Sequence, residues 1–133
     1  MLNHRKFLDI AWAEAKAGKS LGERGAGAVL VKEGEVITQS RDRRKELNDP
    51  IAVPEMDCIR RAGRRSDQPS LTLYTTRYPD MLCAGTVIQF SIGGLVIGLP
   101  ETENPAINFL RQKQVPIQFV EHKGCMAMEV DYE

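Results

Sequence analysis

Helical segments alternate with short β-rich segments through most of the 133-residue sequence, and this alternation is the strongest constraint on its fold. Apolar residues with helical spacing occupy residues 2–17, and β-prone runs at 28–31 and 36–39 then surround a short turn. From residue 54 onward the predicted order is helix, strand, helix, strand, helix, strand. A hairpin followed by such alternation predicts a mixed five-stranded sheet with helices on both faces, a three-layer α/β/α architecture.

The later segments have the composition expected of each element. Pro54 suits a first helical turn, and the helix it begins should end near Gly63. Residues 71–76 are rich in β-branched and aromatic side chains, which is typical of an interior strand. The remaining predictions are a helix at 81–90, a strand at 95–97, a helix at 104–112 and a strand at 117–120. The charged stretch 41–50 predicts a surface loop.

The composition predicts one globular domain spanning residues 1–133. Hydrophobic residues make up 42% and charged residues 27% of the chain, which is ordinary for a soluble protein. No apolar run suits a signal peptide or a membrane span, so we expect a cytoplasmic protein without a membrane partner. Lys plus Arg and Asp plus Glu are equal at 18 each, so general nucleic-acid binding is not expected.

The residues that could bind a ligand or take part in catalysis lie at two predicted helix starts. In α/β sheets, ligands bind where the carboxyl ends of parallel strands lead into helix N-termini. One such start reads V-P-E at residues 53–55, and the other reads P-D-M-L-C at residues 79–83. We therefore expect the functional site between these two helices.

These segments resemble the zinc-dependent cytidine, cytosine, guanine and tRNA-adenosine deaminases, which carry H-x-E and P-C-x-x-C at the two helix starts. The motif R-G-A-G-A-V-L-V resembles the family's first core strand, and E-M-D-C-I-R-R-A-G-R resembles its second helix. L-T-L-Y-T-T-R-Y-P and C-A-G-T-V-I-Q-F-S-I-G-G-L-V-I-G resemble the strand, helix and strand that follow. The likeness is closest to fungal-type cytosine deaminases and covers residues 5–122. It implies a single cytidine-deaminase-like domain that forms a homodimer through the helix at 84–90.

The resemblance also implies the roles of the site residues. In the family, one His and two Cys hold Zn²⁺, which lowers the pKa of a bound water to about 7. The Glu passes a proton from that water to the leaving amine. The His falls on Val53, the Glu on Glu55, and the two Cys on Asp80 and Cys83. Glu55 is thus the candidate catalytic residue, while two of the three zinc ligands are replaced.

Each of these residues has a second interpretation. Asp80 and Cys83 could still bind zinc, with Asp57 or His122 as a third ligand, which keeps zinc as a candidate cofactor. Alternatively, Asp80 is an ordinary helix N-cap, and a carboxylate at Glu55 is stabilised by the helix macrodipole.

Substrate contacts are implied for Asp42, Pro54 and Asp80. Asp42 falls where relatives resembling cytosine deaminase place a substrate-binding Asn, and a carboxylate only accepts hydrogen bonds. Any bound ring should then present N–H groups, so we expect a small heterocycle as the partner. The alternative for Asp42 is a solvated charged loop, and the arginine clusters at 41–45 and 60–65 are interpreted as solvated faces.

Three functions follow from these residues. The first is hydrolytic deamination, or a related hydrolysis of a small N-heterocycle, with Glu55 as proton shuttle and an altered metal site. The second is a catalytically inactive pseudoenzyme that acts as a ligand-binding or partner subunit. The third is a metal-free enzyme in which Glu55 and Asp80 form a carboxylate pair.

Overall fold

The computed structural model describes residues 3–130, in which one five-stranded sheet is covered by five α-helices. The helices are α1 (His4–Ser20), α2 (Pro54–Ala62), α3 (Met81–Gln89), α4 (Pro105–Gln112) and α5 (Lys123–Val130). The strands are β1 (Gly27–Lys32), β2 (Glu35–Arg41), β3 (Leu71–Thr75), β4 (Gly94–Ile97) and β5 (Ile117–Phe119). Their spatial order is β2-β1-β3-β4-β5. β2, β1 and β3 pair antiparallel, and β3, β4 and β5 pair parallel, which confirms the predicted mixed sheet.

The two faces of the sheet are buried by different helices. Val29 and Val31 of β1 pack in one cluster with Leu8 of α1. Ala28 and Leu30, the alternate residues of the same strand, pack in a second cluster with side chains of α2, α3 and α4. Because side chains alternate across a strand, a nearly continuous apolar run can supply both cores. This arrangement confirms the predicted three layers.

Several boundaries differ from the sequence predictions for local reasons. α1 continues past Gly18 to Ser20, because the positive-φ glycine that follows the helix is Gly22. α5 was not predicted, since its eight residues carry little amphipathic signal. Asp42 is 1% exposed, so the loop at 41–50 is not wholly a surface loop. Leu2, where the first predicted helix begins, lies outside the described residues.

None of the helices within residues 3–130 combines the length and apolar character needed to cross a bilayer.

Gly27 of β1 lies where α1 approaches the sheet closely. A Cβ at Gly27 would lie 2.0 Å from the Ala11 carbonyl oxygen and 2.9 Å from the Ala15 nitrogen, both backbone atoms of α1. We therefore expect Gly27→Ala to lower the free energy of unfolding by about 1–3 kcal/mol in urea titrations. Gly85→Ala is the matched control, because a Cβ there meets nothing within 4 Å. Inside a helix, it should raise the free energy of unfolding by about 0.5–1 kcal/mol. Equal effects of the two variants would contradict the close approach.

Candidate functional site

The two helix starts lie at the same end of the sheet. Glu55 is in the first turn of α2, and Asp80 is the N-cap of α3. β3, which leads into α3, pairs with β1, while α2 packs on β1 and also contacts α3. Arg77, in the short segment between β3 and α3, contacts both carboxylates. The predicted neighbourhood therefore contains a cation as well as the two acids.

Glu55 is held by a two-point ion pair. Arg77 Nε donates to Glu55 Oε2 at 2.9 Å, and Arg77 Nη2 donates to Glu55 Oε1 at 3.0 Å. Glu55 is fully buried and Arg77 is 7% exposed. Paired N–H···O bonds between a guanidinium and a carboxylate are among the strongest hydrogen bonds in proteins. Both oxygens of the candidate proton shuttle are thus engaged by one side chain.

Asp80 joins the same cation to the start of α3. Arg77 Nη1 donates to Asp80 Oδ2 at 3.2 Å, and the other oxygen, Oδ1, accepts from the Cys83 backbone N–H at 2.9 Å. The second bond is an ordinary N-cap, which stabilises a helix by satisfying an orphan N–H. The Asp80 side chain is half exposed. Its observed contacts are those of a helix cap and an ion-pair partner.

The charges at this site are set by burial and by each other. Burial lowers the pKa of Arg77. The charge and hydrogen bonds of Glu55 and the charge of Asp80 raise it by more than burial lowers it, so the pKa of Arg77 lies above its ordinary value. Burial, followed by the Glu55 charge, raises the pKa of the Cys83 thiol well above its usual range. Both effects disfavour the charged form of the Cys83 side chain.

The segment that carries Arg77 is fastened at both ends. Thr75 Oγ1 donates to the Arg77 carbonyl at 2.9 Å. Tyr78 OH donates to the carbonyl oxygen of residue 100 at 2.8 Å, and Asn104 Nδ2 donates to that of residue 79 at 3.2 Å. Because the backbone is fixed on both sides, the guanidinium is directed toward Glu55 without a long flexible segment.

Val53 and Pro54 contribute no polar side chain. Val53 is buried at the N-cap of α2 and makes no capping hydrogen bond, and Pro54 is buried in the first turn. The proline lacks an N–H that the helix would leave unpaired in any case. A substrate contact by Pro54 stays a prediction, limited to packing.

The carboxylate of Asp42 accepts hydrogen bonds from Arg44, two residues along the same loop. Its Oδ2 accepts from Arg44 Nη2 at 2.8 Å, and its Oδ1 accepts from the Arg44 backbone N–H at 3.0 Å. Its own backbone N–H donates to the Ala26 carbonyl at 3.2 Å. The implied contact with a ring N–H stays a prediction, and it would require Arg44 to move.

The two residues considered as a third zinc ligand are engaged elsewhere. Asp57 lies 3.4 Å from the guanidinium Nε of Arg43. His122 Nε2 is 2.7 Å from Asp9 Oδ1, and His122 Nδ1 accepts from the Cys125 N–H at the start of α5. The observed side-chain partners of Asp57 and His122 are therefore residues other than Glu55, Asp80 and Cys83.

The observed side chains do not form a zinc centre. Across residues 3–130, no three His, Cys, Asp or Glu side chains are grouped so that they could hold a metal ion. Zn²⁺ needs three or four deprotonated ligands in close tetrahedral geometry. Here Val53 has no donor atom, and the Arg77 guanidinium occupies carboxylate oxygens of Glu55 and Asp80.

Arg77 is the residue that sequence reasoning missed. It lies in the quoted segment L-T-L-Y-T-T-R-Y-P, three residues before Asp80. The sequence places a lone arginine directly after a predicted interior strand. A buried arginine at that place needs an acidic partner for its charge. The nearest acids of the same predicted site, Asp80 and Glu55, could have been named as those partners.

Comparison with known proteins gives a consistent family of relatives. Residues 1–99 match the family described as cytidine and deoxycytidylate deaminase zinc-binding region. A tRNA-specific adenosine deaminase of Aquifex aeolicus is 39% identical over 85 residues, which are 62% of this chain and 56% of that protein. A chloroplastic tRNA(adenine(34)) deaminase of Arabidopsis thaliana is 38% identical over 97 residues, which are 71% of this chain and 7% of that protein. The chain thus spans only part of the length of these relatives.

A solved structure from work on A-to-I editing by tRNA:A34 deaminases at the wobble position of transfer RNA has the same fold. The match covers 96% of this chain and 99% of that chain, with 27% identity and a TM-score of 0.80. The expected cytidine-deaminase-like fold is therefore confirmed. Three predictions stay predictions: a single domain over residues 1–133, the homodimer and the cytoplasmic location.

The predicted partner is wrong. A small heterocycle without nucleic-acid binding was expected, whereas the relatives just described are named for deamination of tRNA. The physical error lies in the use of net charge. Zero net charge is an average over the whole surface, and it does not describe the local field of an arginine cluster.

The Arg77–Glu55 pair is expected to dominate the stability of the site. Arg77→Met would leave the buried Glu55 carboxylate without its partner, so we expect a loss of about 3–5 kcal/mol in the free energy of unfolding at neutral pH. Arg77→Lys keeps the charge but offers no planar fork, and should lose an intermediate amount. The double variant Arg77→Met with Glu55→Gln should recover part of the loss in denaturant titrations. Additive losses would show that the two side chains are not coupled.

Proposed function

Because the chain belongs to the cytidine and deoxycytidylate deaminase family, we propose that it is a non-deaminating member that binds nucleic acid of the tRNA class. In this proposal a structural ion pair takes the place of the zinc-hydroxide machinery. The single observation that carries it is the two-point pairing of Arg77 with both oxygens of Glu55. Of the three functions that the sequence predicts, this proposal is the second, a catalytically inactive pseudoenzyme.

The hydrogen bonds of Glu55 bear on its use as a proton shuttle. A general base must reach the proton that it takes, directly or through one water. Glu55 is fully buried, and both of its oxygens already accept hydrogen bonds from Arg77. Protonating Glu55 would also remove the charge that compensates a buried guanidinium, which is costly in a low-dielectric interior. Hydrolytic deamination with Glu55 as shuttle would need Arg77 to release both oxygens.

The positive charge of Arg77 bears on metal binding. Zinc in the family is a cation held between the two helix starts, and here the guanidinium of Arg77 lies between Glu55 and Asp80. A second cation at that place would be repelled by Arg77, since like charges interact strongly away from bulk water. Arg77 therefore supports both helix starts electrostatically without supplying a nucleophile.

The charged loop at 41–45 bears on the kind of partner. The family relatives are named for action on tRNA, and this chain has a basic loop beside the site. Hydrogen bonds to Asp42 raise the pKa of Arg44, and the charge of Arg77 opposes that rise, so the two guanidinium groups are close enough to interact. Lys45, the next residue, carries a further positive charge, and its Nζ donates to the Gly22 carbonyl at 2.8 Å. Local cations of this kind bind phosphate oxygens even in a chain without net charge.

Metal content and deamination test the loss of catalysis. The wild-type protein, purified without chelator, should carry no stoichiometric zinc and release no ammonia from adenosine-containing tRNA. Val53→His with Asp80→Cys should still bind zinc poorly, because Arg77 remains between the helices. Adding Arg77→Leu should allow zinc uptake, since the metal then supplies the missing positive charge beside Glu55. Metal analysis and an ammonia assay measure both effects, with circular dichroism as the check on folding. One zinc per chain with ammonia release from the wild type would refute the proposal.

Salt dependence tests nucleic-acid binding. We expect a tRNA transcript to bind in fluorescence anisotropy and to lose affinity with salt, by roughly 40-fold between about 50 and 200 mM if three phosphates are contacted. Lys45→Gln should reduce that loss, whereas Lys113→Gln, an equal charge change at the end of α4, should not. Binding that is absent at low salt, or that is changed equally by both variants, would contradict the RNA-binding part of the proposal.

A further inference from the structure

A cleft of about 530 Å³ lies between the residues that follow α1 and the loop that follows β2. Gly22, Glu23 and Arg24 line one side, and Arg44 and Lys45 line the other. Its volume falls within the roughly 300–1,000 Å³ typical of ligand pockets. Arg44 and Lys45 are exposed, so a ligand can reach the cleft from solvent. These lining residues lie outside α3, the helix through which the homodimer is predicted to form.

The buried carboxylate of Glu23 joins the two sides of the cleft. Its Oε1 accepts from the Lys45 backbone N–H at 3.1 Å, and its Oε2 accepts from the Glu46 backbone N–H at 2.6 Å. The Lys45 ammonium donates to the Gly22 carbonyl at 2.8 Å, which uses one of its three N–H donors. Both sides of the cleft are therefore held together by hydrogen bonds, and its shape exists before a ligand binds.

Asp42 holds one edge of the Arg44 guanidinium. Arg44 Nε donates to Asp42 Oδ1 at 3.1 Å and to Oδ2 at 3.0 Å, and Arg44 Nη2 donates to Oδ2 at 2.8 Å. The Asp42 side chain is 2% exposed, whereas the Arg44 side chain is 42% exposed and lines the cleft. A guanidinium has five N–H donors in a planar fork. The bonds to Asp42 therefore leave the second edge of the fork, formed by Nη1 and Nη2, for a ligand.

The charges around the cleft favour an anion at that second edge. A ligand oxygen bonded there would lie about 3 Å from a guanidinium nitrogen and about twice as far from the carboxylate on the first edge, so attraction exceeds repulsion. Lys45 adds a second cation to the lining. Arg24 contributes less, because it pairs with Glu129 at 3.5 Å. Glu23 is the one acid among the five lining residues, and both of its oxygens accept backbone N–H groups.

We propose that this cleft binds a phosphate group, contacted by the second edge of Arg44 and by the Lys45 ammonium, and that buried Asp42 positions Arg44 for it. Paired N–H donors of a guanidinium match two phosphate oxygens, and an orientation fixed in advance reduces the rotamer entropy lost on binding. Asp42 then acts through Arg44, which differs from the ring contact that the family resemblance implies. The phosphate belongs either to a nucleic-acid backbone, in which case the site rests on the proposed function, or to a free phosphate compound.

Inorganic phosphate tests the cleft directly, with the full-length protein in solution. In ¹H–¹⁵N spectra of the arginine side chains, the Arg44 Nε–H signal should shift on addition of millimolar phosphate. Arg65 is the internal reference, because its Nε–H is held by Asp67 at the same spacing of two residues, outside the cleft. The Arg65 signal should move less. Equal shifts of the two signals, or none at Arg44, would overturn the site.

The sign of one substitution separates positioning from bulk charge. Asp42→Asn removes a negative charge, so a purely electrostatic site should then bind a tRNA transcript more tightly. Positioning predicts the reverse, a loss of about two- to tenfold in fluorescence anisotropy, because the Arg44 fork is no longer held. Asp67→Asn makes the same charge change at the other Arg–Asp pair and should not weaken binding. Tighter binding by Asp42→Asn, with circular dichroism confirming the fold, would show that Asp42 does not position Arg44.

Arg44→Lys provides a second test that does not require Asp42→Asn to fold. It keeps the charge and loses the planar fork, so it should weaken binding of both inorganic phosphate and the transcript about two- to tenfold. Loss of both assigns the site to a nucleic-acid phosphate. If inorganic phosphate binds but the transcript does not, the site belongs to free phosphate compounds and only the proposed function fails. Transcript binding that Arg44→Lys leaves intact would overturn the site and leave the proposed function standing.

Discussion

The ion pair between Arg77 and Glu55 is the interaction on which the site depends. A fully buried carboxylate needs a compensating charge, and Arg77 supplies it through two hydrogen bonds from a segment that is itself fixed by neighbouring residues. The same guanidinium reaches Asp80, the N-cap of α3. The starts of α2 and α3 are thus joined by one cation that comes from the protein chain itself. Arg77 compensates one of the two negative charges at this place, and the Asp80 side chain is half exposed to solvent.

The fold of this chain matches the deaminase family more fully than its site residues match the family motifs. The sheet, its two cores and the helices on both faces match a tRNA:A34 deaminase structure over nearly the whole chain. At the two helix starts, Val53 and Asp80 stand where the family resemblance implies a His and a Cys, and Arg77 pairs with Glu55 and Asp80. The core depends on apolar side chains at alternating positions, which these substitutions do not alter. The fold by itself therefore does not fix the chemistry, which depends on the side chains at the site.

Charge is informative in this protein only at the scale of a few residues. Equal numbers of acids and bases gave a wrong expectation about partners, because attraction between a surface and phosphate falls off within about 10 Å in salt. At that shorter range the stretch 41–46 carries four cations and two acids. Arg44 in this stretch pairs with the buried carboxylate of Asp42.

The sequence by itself determined the architecture and the order of its elements, because strand and helix periodicities and the residues at helix ends act locally. It also determined that Val53 has no donor atom for a metal, which follows from side-chain chemistry alone. Only the tertiary structure decided that Arg77 pairs with Glu55, that Asp42 is used by Arg44, and that His122 pairs with Asp9. The Arg77–Glu55 and His122–Asp9 pairs join residues 22 and 113 positions apart. Such partners are chosen by how sheet and helices pack, and no local pattern encodes them.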